Sequence, residues 1–243
     1  MFFRGQHRAL FERSYPLGAG GFPGKPFALL NANRPIAGTV DGGLLRTWIN
    51  QGSSQNVTQN AVPRRPTWFS SGGPGGGPWV RFVPDLVGPP VVRQWMQNSP
   101  IVPHPAQPGV TAAVFLASDL AATRGLTGGF EDASKWEIRT TTAGAVTLFA
   151  GTLLSTPAAS IVALTWYWVV CVANGAASTI ELSNGVLATG NIGTRTQGNC
   201  RVSNVANETQ PWFGGIAWVG MWNDGTSAYD VKTYLRRAFP SIV

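Results

Sequence analysis

Eleven carboxylates, two histidines and two cysteines make up the whole acid–base and thiol inventory of this 243-residue chain. A glycosidase needs two carboxyl groups facing each other across roughly 5–10 Å. The carboxylates here are scattered, and only Glu131 and Asp132 are adjacent. Neighbours on a strand point to opposite faces, so that pair does not supply two groups to one site. Glu137 and Glu181 could meet only through tertiary folding. A Ser-His-Asp relay would have to use His7, near the start, or His104, in a proline-rich loop, and no G-x-S-x-G elbow occurs. The histidines, Cys171 and Cys200 lie too far apart for a zinc spacing. The glycine run 72–77 lacks the Lys-Ser/Thr end of a phosphate loop. The expectation is a protein that is not an enzyme.

Binding chemistry has more candidates. There are ten tryptophans. Trp95, Trp212 and Trp222 sit beside loops or at a strand end, where an exposed ring could stack on a sugar; core or interface packing is the competing reading. Trp136, Trp166 and Trp218 are expected in the core. No cofactor is expected. If calcium is held, Asp85, Asn223 and Asp224 are the side chains for it, although such rim residues more often shape turns.

The net charge is +7, with only 12% of residues charged, about half the usual share. Arg4, Arg8 and Arg13 cluster near the N-terminus beside Phe2, Phe3 and Phe11. The basic charge is otherwise dilute and comes with no reading module, which argues against nucleic acid as partner. An aromatic and basic arm that clasps a neighbouring protein is the stronger reading. A chain with so little charge to hold copies apart suits an assembly. No basic leader runs into an apolar segment, so no signal peptide is expected. The longest nearly apolar run, 161–173, is too short to cross a bilayer as a helix.

Thirty glycines and eighteen prolines are spread between apolar runs, the mark of many turns in an all-β fold. Residues 1–26 read as arm and linker, and 27–243 as one β-sandwich domain. Residues 79–83, 110–117, 145–150 and 216–222 read as strands. In 135–140, Trp136 and Ile138 fall on one face, and Lys135, Glu137 and Arg139 on the other. The run 161–172 is one long strand or two, with bulk on both faces, and Asn174-Gly175 turns it into a hairpin with 178–182. Within 216–222, Ile216, Trp218, Gly220 and Trp222 alternate against Ala217, Val219 and Met221. Residues 227–239 form a helix capped by Ser227, with the stripe Val231, Tyr234, Leu235 and Ala238, which needs a surface at one end of the sandwich. Cys171 reads as a buried thiol, and its pairing with Cys200 is left open by the sequence.

The order of these elements resembles the concanavalin-like, laminin-G-like jelly rolls of phage and bacterial proteins. Trp48 followed by Asn50-Gln51-Gly52-Ser53 and a loop ending in Arg65-Pro66 resembles the opening of that family. Gly77 to Phe82, Trp168 to Gly175, Phe213 to Ala217 and Met221 to Asn223 resemble its later strands, and the likeness covers about residues 30–240. It implies a two-sheet antiparallel sandwich with a short C-terminal helix and a concave glycan surface, and the extended arm lies outside it. The alternating E-x-D-x-E run of the family's hydrolases is missing.

Taken together, these features lead to the expectation of a structural protein of a phage virion. It would be a decoration or accessory protein on the particle surface, made in the host cytoplasm. Its partners would be other virion proteins, the major capsid protein first, through arm residues Phe2, Phe3, Arg4, Arg8, Phe11 and Arg13. The alternative is a carbohydrate-binding or adhesin module that takes surface glycans. Neither reading involves a membrane or a nucleic acid.

Overall fold

Two nine-residue strands, β7 (Gly109–Ala117) and β16 (Gly214–Trp222), lie antiparallel side by side and are buried along nearly their whole length. The computed structural model describes residues 23–35, 39–84, 93–98, 106–129, 135–203 and 210–242. The expected arm therefore falls outside the described residues as far as residue 22, as does Asp85. Within them the fold is almost wholly antiparallel β, with one short α-helix near the C-terminus, as a jelly-roll sandwich requires. None of these residues forms a helix long and apolar enough to cross a membrane.

The strands form one ladder folded into two layers. The first layer runs β11 (Leu153–Ser155), β10 (Val146–Phe149), β9 (Glu137–Thr140), β8 (Arg124–Gly128), β15 (Arg201–Val202), β6 (Met96–Gln97), β3 (Val57–Thr58) and β2 (Thr47–Asn50). The second runs β1 (Ala28–Pro35), β16, β7, β12 (Trp166–Ala173), β13 (Ser178–Leu182) and β14 (Leu187–Gly190). Beside β16 lies β5 (Trp79–Phe82), which in turn carries β4 (Thr67–Phe69). Between the layers Trp48, Met96, Ile138 and Leu148 meet Phe115, Val169, Ile216 and Met221 in a continuous apolar core. Each such side chain, once buried, contributes about 1.5–3 kcal/mol.

The chain passes from one layer to the other between β1 and β2, and the register slips there. The slip frees carbonyls from the ladder, and buried indoles take them up. Trp48 Nε1 donates to Asn31 O at 3.0 Å, and Trp68 Nε1 to Ala32 O at 2.8 Å. Asn50 closes the same corner. Its Oδ1 accepts from Leu29 N and Gly52 N, and its Nδ2 donates to Phe27 O and Ser54 O.

A bulge changes the reading of β16. The register shifts between Ile216 and Trp218, so one extra residue is inserted against β7. Ile216 then shares the inner face with Val219 and Met221, while Ala217, Trp218 and Trp222 turn outward. Strict alternation had placed Ile216 with the tryptophans. β12 likewise begins at Trp166 rather than Ile161, because Ala159 and Leu164 adopt positive φ and residues 157–165 form a turn. Its burial on both faces matches expectation, as does the hairpin to β13.

The outward tryptophans have a cover. Helix α1 (Ala228–Ala238) is capped by Ser227, whose side chain accepts from Asp230 N. Val231, Leu235 and Ala238 pack on Trp168, Val170, Trp218 and Trp222. Lys232 Nζ reaches Glu181 Oε2 at 2.7 Å and ties the helix to β13. The stripe thus lies on the outer face of the second layer, not at an end of the sandwich. A surface that is aromatic on both sides can bury each of them only if a second element lies outside the sheet.

Candidate ligand-binding face

Antiparallel partners share a face, so the registers trace which side chains line the outside of the first layer. One row crosses all eight strands: Thr47, Thr58, Gln97, Arg201, Gly128, Glu137, Phe149 and Leu153. Its centre is polar and basic. Trp95 stands two residues from Gln97 on the same face, as Lys135 and Arg139 do on either side of Glu137.

Trp95 is the best placed of the expected sugar-stacking residues. It is partly exposed, and its backbone is clamped: the N–H donates to Arg64 O at 3.3 Å and the carbonyl accepts from Gln59 Nε2 at 3.1 Å. The guanidinium carbon of Arg201 lies 4.6 Å from its ring centroid, and Arg201 Nε donates to Gln97 Oε1 at 2.9 Å. The indole Nε1 has no hydrogen-bond partner although it is shielded from solvent. Such a group is costly unless an acceptor reaches it.

Trp212 and Trp222 do not stack on anything in solution. Both are 0% exposed. Trp212 packs edge-on against Phe115 at 5.7 Å in the inner core, and Trp222 lies beneath α1 with its Nε1 donating to Pro23 O at 2.7 Å. Their places beside loops suggested exposure, but Trp212 faces the inner core and the helix covers Trp222. Trp166, by contrast, was assigned to the core and is partly exposed.

Around Glu137 the expected alternation holds, but its polar side is not a solvated one. Glu137 is fully buried, with Lys135 Nζ 3.1 Å from one oxygen and Arg139 on the other. Phe149 next to it lies between two guanidiniums, Arg139 at 5.2 Å and Arg195 at 5.1 Å from its centroid. Along this row Thr47, Thr58, Gln97 and Phe149 are partly exposed and Leu153 is exposed, while Gly128, Glu137 and Arg201 are buried. Glu137 is the one carboxylate of the row, and both its oxygens are engaged.

Of the calcium candidates, Asn223 and Asp224 are exposed. Asp224 accepts from Lys25 N at 2.5 Å and from the Thr226 N–H and hydroxyl, so it ties the linker to the turn before α1. Partial burial raises its pKa, but the Thr226 hydroxyl and the Lys25 and Thr226 N–H bonds together hold it below the ordinary carboxylate value. No group of three or more His, Cys, Asp or Glu gathers among the described residues. Cys171 and Cys200 are both buried free thiols.

Comparison with known proteins gives the fold its class. No family model matches the chain, and no curated protein matches it in sequence. The chain is similar in structure to domain 4 of AbnA, an extracellular GH43 arabinanase of Geobacillus stearothermophilus solved in complex with arabinotriose. The TM-score is 0.60 at 9% identity, over 87% of this chain and 98% of that one. It is also similar to the binding domain of botulinum neurotoxin serotype G, with a TM-score of 0.51 at 9% identity, over 86% of this chain and 50% of that one. The chain is a β-sandwich of the concanavalin-like, jelly-roll kind.

Proposed function

We propose that this protein is a non-catalytic carbohydrate-binding module that takes a glycan on the outer face of its first layer. The observation that carries the reading is Trp95, a part-exposed ring whose position is set by the Arg201 stack and by its clamped backbone. A sugar supplies what such a ring lacks, an apolar C–H face against its exposed part. Gln97 and Thr58 continue the row with further hydrogen-bonding groups. That domain 4 of AbnA was solved with arabinotriose supports the same reading.

The test is binding of neutral and acidic oligosaccharides by titration calorimetry, with Trp95→Ala and Gln97→Ala beside the unaltered chain. Saturable binding that weakens about tenfold or more in Trp95→Ala is expected, a loss of the size of one good aromatic contact. Binding that ignores both substitutions would overturn the reading. The capsid-decoration reading draws on the arm and the low charge, and nothing in the fold or the comparisons adds to it.

A further inference from the structure

Helix α1 covers only part of the outer face of the second layer. Beyond it, the registers trace a second row: Leu44, Thr67, Arg81, Gly215, Leu116 and Trp166. Phe69 and Trp79 stand beside it on the same face, paired with each other across β4 and β5. Phe69, Trp79, Leu116 and Trp166 are partly exposed, and Leu44 and Arg81 are exposed.

Gly215 makes the arrangement. A Cβ there would lie 2.7 Å from both Trp166 and Trp79, so the two indoles meet over a residue that has no side chain. They contact edge to face with centroids 6.1 Å apart, and Phe69 stacks on Trp79 at 5.0 Å and 20°. The Trp79 Nε1 donates to Ser71 O at 2.9 Å, which fixes the ring. The result is a rigid strip of three aromatic rings, ordered without any ligand. Binding to it requires little further side-chain ordering. At its margins lie the Arg81 guanidinium, the Thr67 hydroxyl, and the Asp41 carboxylate, which accepts from Ser70 N at 2.6 Å next to Phe69.

We infer that this strip is a second binding surface for a neutral oligosaccharide, on the layer opposite the first site. Its size decides against a protein. Three aromatic side chains, each already partly covered, offer at most a few hundred Å² of apolar area. A stable protein interface needs about 800 Å² from each partner. Its chemistry favours a sugar: flat apolar rings for the C–H face of the ring, and an Arg, a Thr and an Asp at the edge for hydroxyls. The margins hold one cation and one carboxylate, so no net charge selects an acidic ligand. The inference extends the carbohydrate reading to a second face, and it does not depend on Trp95.

The probes are soluble neutral polysaccharides, arabinan, xylan and mixed-linkage glucan, run in affinity gels and by calorimetry with their tetrasaccharides. The variants are Trp79→Ala, Trp166→Ala and Trp95→Ala, with melting curves for each. A rim double variant, Arg81→Glu with Thr67→Val, keeps the test valid if a tryptophan variant fails to fold. With both faces contributing, Trp79→Ala, Trp166→Ala and the rim variant are each expected to weaken retention about tenfold and to leave the share that Trp95→Ala removes, so that only Trp79→Ala combined with Trp95→Ala abolishes it. Retention that falls only in Trp95→Ala overturns this inference and leaves the first face standing. Retention lost with Trp79→Ala and indifferent to Trp95→Ala upholds it and overturns the first. If no neutral polysaccharide is retained, or if the unaltered chain forms a dimer that the rim variant dissociates, the strip is not a sugar site.

Discussion

Arg201 lies over the ring of Trp95, its guanidinium carbon 4.6 Å from the ring centroid, while its Nε holds Gln97. The two residues come from strands that pair only in the folded chain. A planar guanidinium can stack on the ring and bond sideways to an amide at the same time; an ammonium cannot do both. One face of Trp95 is thereby committed to the protein and its position is set.

It follows that Arg201→Lys should keep a charge near the ring and still lose the site's geometry. Glycan affinity is expected to fall about tenfold, from the lost cation–π stack and the lost bond to Gln97 together. Arg201 is buried, so the melting temperature should be followed in parallel. An affinity unchanged in a folded Arg201→Lys protein would show that the stack does not order the site.

The thiols give a second prediction. Burial alone raises both: Cys200 is pushed up to about 12, and Cys171 higher still. The thiolate is the reactive form, so at pH 8 Cys200 has only about one thiolate in 10⁴. Neither cysteine should react with a disulfide reagent in the native protein within hours, and both should react at once in denaturant. Rapid reaction of one thiol under native conditions would contradict its burial.

Local pattern made much of the fold legible. The strands around Val110 to Ala117, the 174–175 hairpin, the Ser227 cap and the helical stripe all follow from periodicity and turn chemistry within a few residues. What pattern could not supply is register. The bulge at Ala217 moves Ile216 to the other face, yet Gly214 to Trp222 alternates as smoothly as an unbroken strand. The sites were legible only in part for the same reason. Trp95 could be named from its place beside a loop. Gln97, Arg201, Glu137 and Phe149 reach its face through four separate strand pairings, and Trp79 and Trp166 meet over Gly215 from different strands. No spacing in the sequence encodes either meeting.

Gly220 tests the packing beneath α1. A Cβ at this position would press on Trp222 and lie 2.6 Å from Trp218, both held under the helix. Gly220→Ala should cost about 1–3 kcal/mol, as overpacking of a full core does. Gly185→Ala meets nothing within 4 Å but must adopt a φ of +83°, and about 1 kcal/mol is expected from backbone strain alone. Denaturant unfolding of the two variants should rank them in that order.

Asp224 gives the fold a pH dependence of definite sign. Its folded pKa lies below 3.8, so its bonds to Lys25 and Thr226 stabilise the native state above that value and are lost as the pH falls through the folded pKa. Solvent screens this exposed carboxylate. Asp224→Asn should therefore lower the melting temperature at pH 7 by only about 1–2 °C. The gap between variant and unaltered protein should narrow below pH 3.8 and close once the pH has fallen through the folded pKa, where Asp224 is neutral like the asparagine. A gap that persists at pH 2 would assign the effect to shape rather than charge.

Glu137 is where the first face is most exposed to damage from a single change. It is wholly buried between Lys135 and Arg139, and its removal leaves two cations without their shared anion in a poorly solvated place. Removing one member of a buried ion cluster costs about 3–5 kcal/mol, far more than the cluster contributes over an apolar replacement. Glu137→Ala should lose stability on that scale. Glu137→Ala combined with Lys135→Met and Arg139→Leu should recover most of it, because no charge is then left unpaired. The same triple variant separates two roles. If the cluster only supports the sheet, the recovered protein binds glycan as the unaltered chain does. If Arg139 also faces the ligand beside Phe149, stability returns and affinity does not. Chemical denaturation and calorimetry on one set of samples read both outcomes.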